Sequence, residues 1–140
     1  MKILLASDGS ECSDRAAQYL VKTLKGTVKL LKVTLFYVDV PMLDRVAAAL
    51  GESRVAQIHR ENADDNLAPA RKRLRRARVD FDEASYAGNV AECIAMKAET
   101  GGYDLVVMGS HGRTPFKNVL LGSVTARVLA ACKVPVLIVS

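Results

Sequence analysis

Tyr103-Asp104-Leu105-Val106-Val107-Met108-Gly109-Ser110-His111-Gly112, followed after nine residues by Gly122-Ser123, is the stretch whose reading decides the fold. From Tyr103 to Met108 the chain is almost continuously apolar, the pattern of a parallel strand covered on both faces. Two glycines three apart end it, a loop carrying Arg113 and Lys117 crosses, and Val124 to Cys132 reads as a short helix starting at Gly-Ser. Glycine permits positive φ and close backbone approach. Successive N–H groups in such a turn form an anion-binding concavity. The following helix adds unpaired N–H groups and the positive end of its dipole. That combination suits phosphates, though the same residues also fit an ordinary strand–loop–helix turn with a serine cap. The stretch contains neither G-x-x-x-x-G-K-[ST] nor G-x-G-x-x-G, so it is not a P-loop or the dinucleotide fingerprint.

Upstream, Lys2 to Ala6 forms a first short apolar strand, broken by the turn Ser7-Asp8-Gly9-Ser10. Ala16, Ala17, Leu20, Val21 and Leu24 then recur at helical spacing, predicting a helix over roughly 13–25 that stops at Gly26. The second strand lies within Thr27 to Val38, most strongly at Val33 to Val38, where β-branched and aromatic residues concentrate. A connector with Pro41 and Gly51 follows, with a short helical turn from Leu43 to Leu50. A long helix is then expected from about Ser53 to Arg78, kinked or broken at Pro69. Val79 to Tyr86 alternates as a less buried third strand, and Val90 to Thr100 reads as a helix ended by Gly101-Gly102. Val134 to Val139 is the fifth strand, with Pro135 favouring an edge position.

Strands and helices therefore alternate, which argues for an α/β fold: an open five-stranded parallel sheet with helices on both faces. Right-handed crossovers leave few topologies, and the order 3-2-1-4-5 is expected. The switch point then falls between the first and fourth strands. There the loops at Asp8 and Gly109 meet, at the carboxyl ends where such sheets bind ligands.

Composition adds bounds. With 140 residues, half of them hydrophobic, one domain with a sizeable core is expected. No apolar run approaches the ~20 residues of a membrane helix, and no leader pattern precedes the first strand; a cytoplasmic protein with no membrane partner is expected. Cys12, Cys93 and Cys132 are far apart and, with two histidines, show no metal-ligand spacing. They read as reduced thiols, Cys12 being the one near a functional loop. The net charge of +5 favours anionic ligands without choosing between nucleotide, nucleic acid and lipid surface. The basic run Arg71 to Arg78 reads as a solvated helix end rather than a nucleic-acid surface, since no aromatic residues interleave it. His59 reads as an exposed polar residue of the long helix, and His111 as a loop residue near phosphate.

Gly109-x-x-Gly112, nine residues, Gly122-Ser123 resembles the ATP-binding signature of the universal stress protein family. The likeness extends through Lys2 to Ser10, Thr34 to Val38 and Val134 to Val139, nearly the whole chain. It implies a Rossmann-like, adenine nucleotide alpha hydrolase-like fold and an ATP-binding regulatory or sensor protein of the stress response. On that resemblance Val38 and Met108 contact the base, Asp8 the ribose side, and Ala6 and Ser7 line the same pocket. Gly109, Gly112, Gly122, Ser123 and the amides of Val124 and Thr125 hold the phosphates, with Arg113 neutralising charge. Mg2+ bridging the phosphates is compatible with it, although no carboxylate cluster offers a dedicated metal site. An apolar edge strand also needs covering, so a homodimer through Val134 to Val139 is expected, as the resemblance also implies. Two other readings stand: a slow ATPase or phosphotransferase using Asp8, Ser110 or His111, for which no base–orienter set is visible, and a dimeric interaction module with a vestigial nucleotide site.

Overall fold

The computed structural model describes residues 1–113 and 118–140; Lys117, expected beside Arg113, lies outside them. The sheet is built from β1 (Lys2–Ala6), β2 (Lys32–Asp39), β3 (Phe81–Ala87), β4 (Leu105–Gly109) and β5 (Val136–Val139). All pairings are parallel and the order is β3-β2-β1-β4-β5, as the sequence implied.

Between β1 and β2 the chain runs through α1 (Glu11–Tyr19), a π-helical segment (Leu20–Leu24) and a closing turn α2 (Lys25–Thr27). Two helices, α3 (Asp44–Leu50) and α4 (Glu52–Arg76), lead to β3, and α5 (Val90–Thr100) and α6 (Ser123–Ala131) precede β4 and β5. The two-residue period of β1 splits the core into two halves. Ile3 and Leu5 pack with Ala16, Leu20, Leu67 and Leu74 beneath α1 and α4. Leu4 and Ala6 pack on the other face with Ile94, Ala98 and Val128 beneath α5 and α6. No helix among the described residues is long and apolar enough to cross a membrane.

Several boundaries differ from expectation. The first helix begins two residues early, because Ser10 caps it by accepting the Ser13 amide. It does not stop at Gly26, which lies inside α2 without positive φ; the chain leaves the helix at Val28, in extended conformation. Proline at 69 does not break α4, which runs unbroken for 25 residues with Leu67 and Ala70 buried on either side of it.

That helix ends in a closed motif instead. The Val79 amide reaches back to Leu74 O (3.0 Å) and the Arg78 amide to Arg75 O (3.0 Å), the Schellman pattern. Arg78 takes the left-handed position at φ 54°, usually given to glycine. Val79 and Leu74 meet in the core, so Val79 belongs to the helix closure and β3 starts only at Phe81. β3 and β5 are the two edges. The fifth strand is shorter than expected, since Pro135 precedes it and gives only its carbonyl, to the Val106 amide at 2.9 Å.

Candidate functional site

The carboxyl ends of β1, β2 and β4 and the start of α6 enclose one cleft of about 740 Å3, within the range of roughly 300–1,000 Å3 usual for ligand sites. All twelve residues that the resemblance assigned to the nucleotide line it, and so does His111. Ala6, Ser7 and Asp8 come from the end of β1, Val38 from β2, Met108 and Gly109 from β4. Gly112 and Arg113 come from the loop, and Gly122, Ser123, Val124 and Thr125 from the start of α6. Phe36, Val90 and Ile94 add apolar wall.

The glycines are there for space, not for positive φ, which none of Gly109, Gly112 and Gly122 adopts. A Cβ on Gly109 would stand 2.7 Å from Cys12 Cβ and from its carbonyl carbon. Gly109 therefore lets β4 close against α1. A Cβ on Gly112 would meet Asp8 Oδ2 at 3.1 Å, and one on Gly122 would meet Ser110 O and the His111 Cα at 3.3 Å.

The two ends of the glycine loop are tied together. Gly122 donates its amide to Ser110 O (2.8 Å) and caps α6 in extended conformation (φ −66°, ψ 157°) with no side-chain cap. The cap is thus Gly122 and not Ser123, and the first-turn amides of Ser123, Val124 and Thr125 have no backbone acceptor among the described residues. Thr125 offers only its amide to the cleft, because its hydroxyl donates to Gly109 O (3.0 Å).

His111 braces the same loop. In the neutral ring Nε2 donates to Val119 O (2.6 Å) while Nδ1 accepts from the Ser110 hydroxyl (2.9 Å). Ser110 is 3 % exposed and is not part of the cleft wall, so the pair holds the loop and presents no accessible nucleophile.

Asp8 divides its roles. Oδ1 accepts the Ser10 amide (2.9 Å), the ordinary turn use, while the Asp8 carbonyl accepts Nε of Arg113 (3.0 Å). That contact spans 105 residues and holds the arginine in the cleft lining; among the described residues its terminal nitrogens make no hydrogen bond. Among the described residues no group of three metal-ligating side chains occurs.

Sequence reasoning missed one cluster at the cleft's border. Asp39, the last residue of β2, accepts from Tyr37 Oη (3.0 Å), Asn62 Nδ2 (2.8 Å) and the His59 Nδ1 (2.7 Å). His59 is therefore half-buried and engaged, not an exposed polar residue. Burial acts to raise the Asp39 pKa, but the hydrogen bonds from Asn62, His59 and Tyr37 outweigh it and hold the carboxyl below its usual value. Tyr37 is pushed up to about 12, by burial first and by its bond to Asp39 second. The signal was present: His59 and Asn62 are three apart on a helix and share a face.

Comparison with known proteins bears on the family and the fold. The model of the universal stress protein family matches residues 1–140. Universal stress protein MJ0577 of Methanocaldococcus jannaschii is 31 % identical over 153 residues, covering 99 % of this chain and 93 % of that protein. Its solved structure superposes with a TM-score of 0.81, covering 99 % of this chain and 94 % of that one. A universal stress protein in complex with cAMP is 24 % identical with a TM-score of 0.67, covering 100 % of this chain and 97 % of that one. A family protein from Arabidopsis thaliana with AMP bound is 14 % identical with a TM-score of 0.68, covering 99 % and 90 %. These last two show likeness of fold. With the family model spanning every residue, the chain belongs to the universal stress protein family.

Proposed function

We propose that this chain binds an adenine nucleotide, ATP foremost, in the cleft between β1, β2 and β4, and acts as a nucleotide-dependent regulator in the stress response. The observation that carries the reading is the start of α6. Three amides without backbone acceptors among the described residues belong to residues that line a cleft also lined by Arg113, the arrangement that favours phosphate. Val38 and Met108, both under a tenth exposed, offer apolar lining to the base, and the Asp8 carboxylate offers an acceptor to ribose hydroxyls. The bound cAMP and AMP of two fold relatives support an adenine nucleotide as the ligand class. Where Mg2+ accompanies ATP, the phosphates would supply its ligands, and Asp8 and Asp39 are the carboxylates that line the cleft.

In the same proposal the protein works in the cytoplasm as a homodimer that covers the β5 edge. The test is mass spectrometry of small molecules released when the purified protein is denatured, paired with turnover of labelled ATP. Release of an adenine nucleotide with negligible turnover supports a regulator. Steady hydrolysis shifts the assignment to an ATPase, and failure to retain or bind any nucleotide removes the reading.

A further inference from the structure

Seven exposed cations gather at the end of the sheet opposite the cleft, where the carboxylates of Asp80 and Asp104 also lie. Lys32 opens β2 and Asp39 closes it at the cleft, so the two ends lie about 23 Å apart at the usual strand rise. At the far end Arg75 and Arg76 finish α4 and Arg78 follows it, while Lys22, Lys25 and Lys29 come from the chain between α1 and β2 and Lys32 opens β2; all seven are exposed. The two groups are joined by a hydrogen bond from Lys25 Nζ to Ala77 O. Among the described residues none of the seven forms an ion pair, whereas Arg71 and Arg73 of the same helix are taken by Asp64, Glu83 and Asp14.

Helix C-termini attract cations, and that explains Arg75, Arg76 and Lys25. It does not explain Lys29 and Lys32, which lie off the helices, or Arg78. Arg78 stands in the left-handed position of the Schellman motif, where glycine carries no strain. Two apolar side chains protrude at the same end. Leu30 is 81 % exposed between Lys29 and Lys32, and Met1, whose amino group donates to Leu30 O at 2.7 Å, is 49 % exposed.

We propose that this end of the sheet, with Leu30 and Met1 set among the cations of the α4 terminus and the β2 approach, docks on an anionic lipid surface. Leu30 and Met1 decide between anionic partners. A nucleic-acid backbone in water gains little from two apolar tips, whereas a bilayer interface buries them while lysine and arginine reach the headgroups. That no described helix is long and apolar enough to cross a membrane bears on insertion and not on such surface attachment. Docking here leaves the cleft facing away from the membrane and open to ligand.

The experiment is co-sedimentation of the full chain with phosphatidylcholine vesicles, with and without about 30 % phosphatidylglycerol, near 0.1 M salt. Binding is expected only to the anionic vesicles, with release at high salt. Each cation removed should lower partitioning about fivefold, so Arg75→Gln with Arg76→Gln loses more than tenfold. Arg78→Gly is the sharper variant. It should raise the melting temperature, by relieving the left-handed position, and still bind vesicles about fivefold more weakly. Equal sedimentation with neutral and anionic vesicles, or variants that bind as well as wild type, overturns the proposal. So does a short RNA that binds this end more tightly than the anionic vesicles do, which assigns the patch to nucleic acid.

Discussion

Gly122 and Ser110 are joined by a 2.8 Å hydrogen bond from the amide of the first to the carbonyl oxygen of the second. This bond fixes where the helix dipole points. It satisfies the capping residue's own amide and makes Ser123 the first residue of the open turn. An anion that approaches the cleft therefore meets a prearranged set of donors, with little ordering left to do on binding.

Arg113 lines the same cleft, held there by the bond from its Nε to the Asp8 carbonyl. Replacing it as Arg113→Gln removes charge from the end of the cleft proposed for the phosphates and leaves the end proposed for the base intact. Affinity for ATP is expected to fall by roughly tenfold, the size of a lost charge-assisted hydrogen bond, and affinity for adenosine to stay unchanged. Isothermal titration with both ligands checks the difference.

Gly109 has a structural duty that is independent of any ligand. The Gly109→Ala methyl meets Cys12 Cβ and its carbonyl carbon at 2.7 Å, and the carbonyl carbon belongs to backbone that cannot rotate away. Stability should fall by about 1–3 kcal/mol, the usual cost of overpacking, measured by urea denaturation without nucleotide.

The strand order and the meeting of the Asp8 and Gly109 loops were legible because β4 is continuously apolar and the alternation of strands and helices is regular. The reason for the glycines was not. Sequence shows that a side chain is missing, but only the packing of Cys12 on Gly109 and of Asp8 on Gly112 shows what fills the space. The Asp39–His59 contact spans 20 residues and depends on how α4 lies over β2. Helix ends depart from the local preference of the sequence where a tertiary closure overrides it, as at Arg78 and Val79 beyond α4.

Asp39 links acid pH to stability. Its folded pKa lies below the usual value, so the carboxylate contributes above about pH 4 and that contribution is lost as pH falls through the lower folded pKa. Asp39→Ala leaves donors of His59 and Asn62 without their partner and should cost about 1–3 kcal/mol at neutral pH. The gap between wild type and variant should close in acid, as urea melts across the acid range would show.

Tyr37 acts at the other extreme. With its folded pKa raised to about 12, the neutral phenol stabilises the fold below about pH 10 and loses that contribution as pH rises through 12. Tyr37→Phe should remove this alkaline component, and spectrophotometric titration should show one fewer late-ionising tyrosine in the variant.

Equilibrium binding of ATP to wild type and to Gly122→Val, with melting curves to confirm that both are folded, tests the account most directly. The valine Cβ sits 3.3 Å from Ser110 O and the His111 Cα, so its branches crowd the loop closure and the entrance to the open turn. Wild type is expected to bind, and the folded variant to bind at least about tenfold more weakly, a loss of about 1.4 kcal/mol. A folded variant that binds as tightly as wild type, or a wild type that binds no adenine nucleotide, would contradict the account.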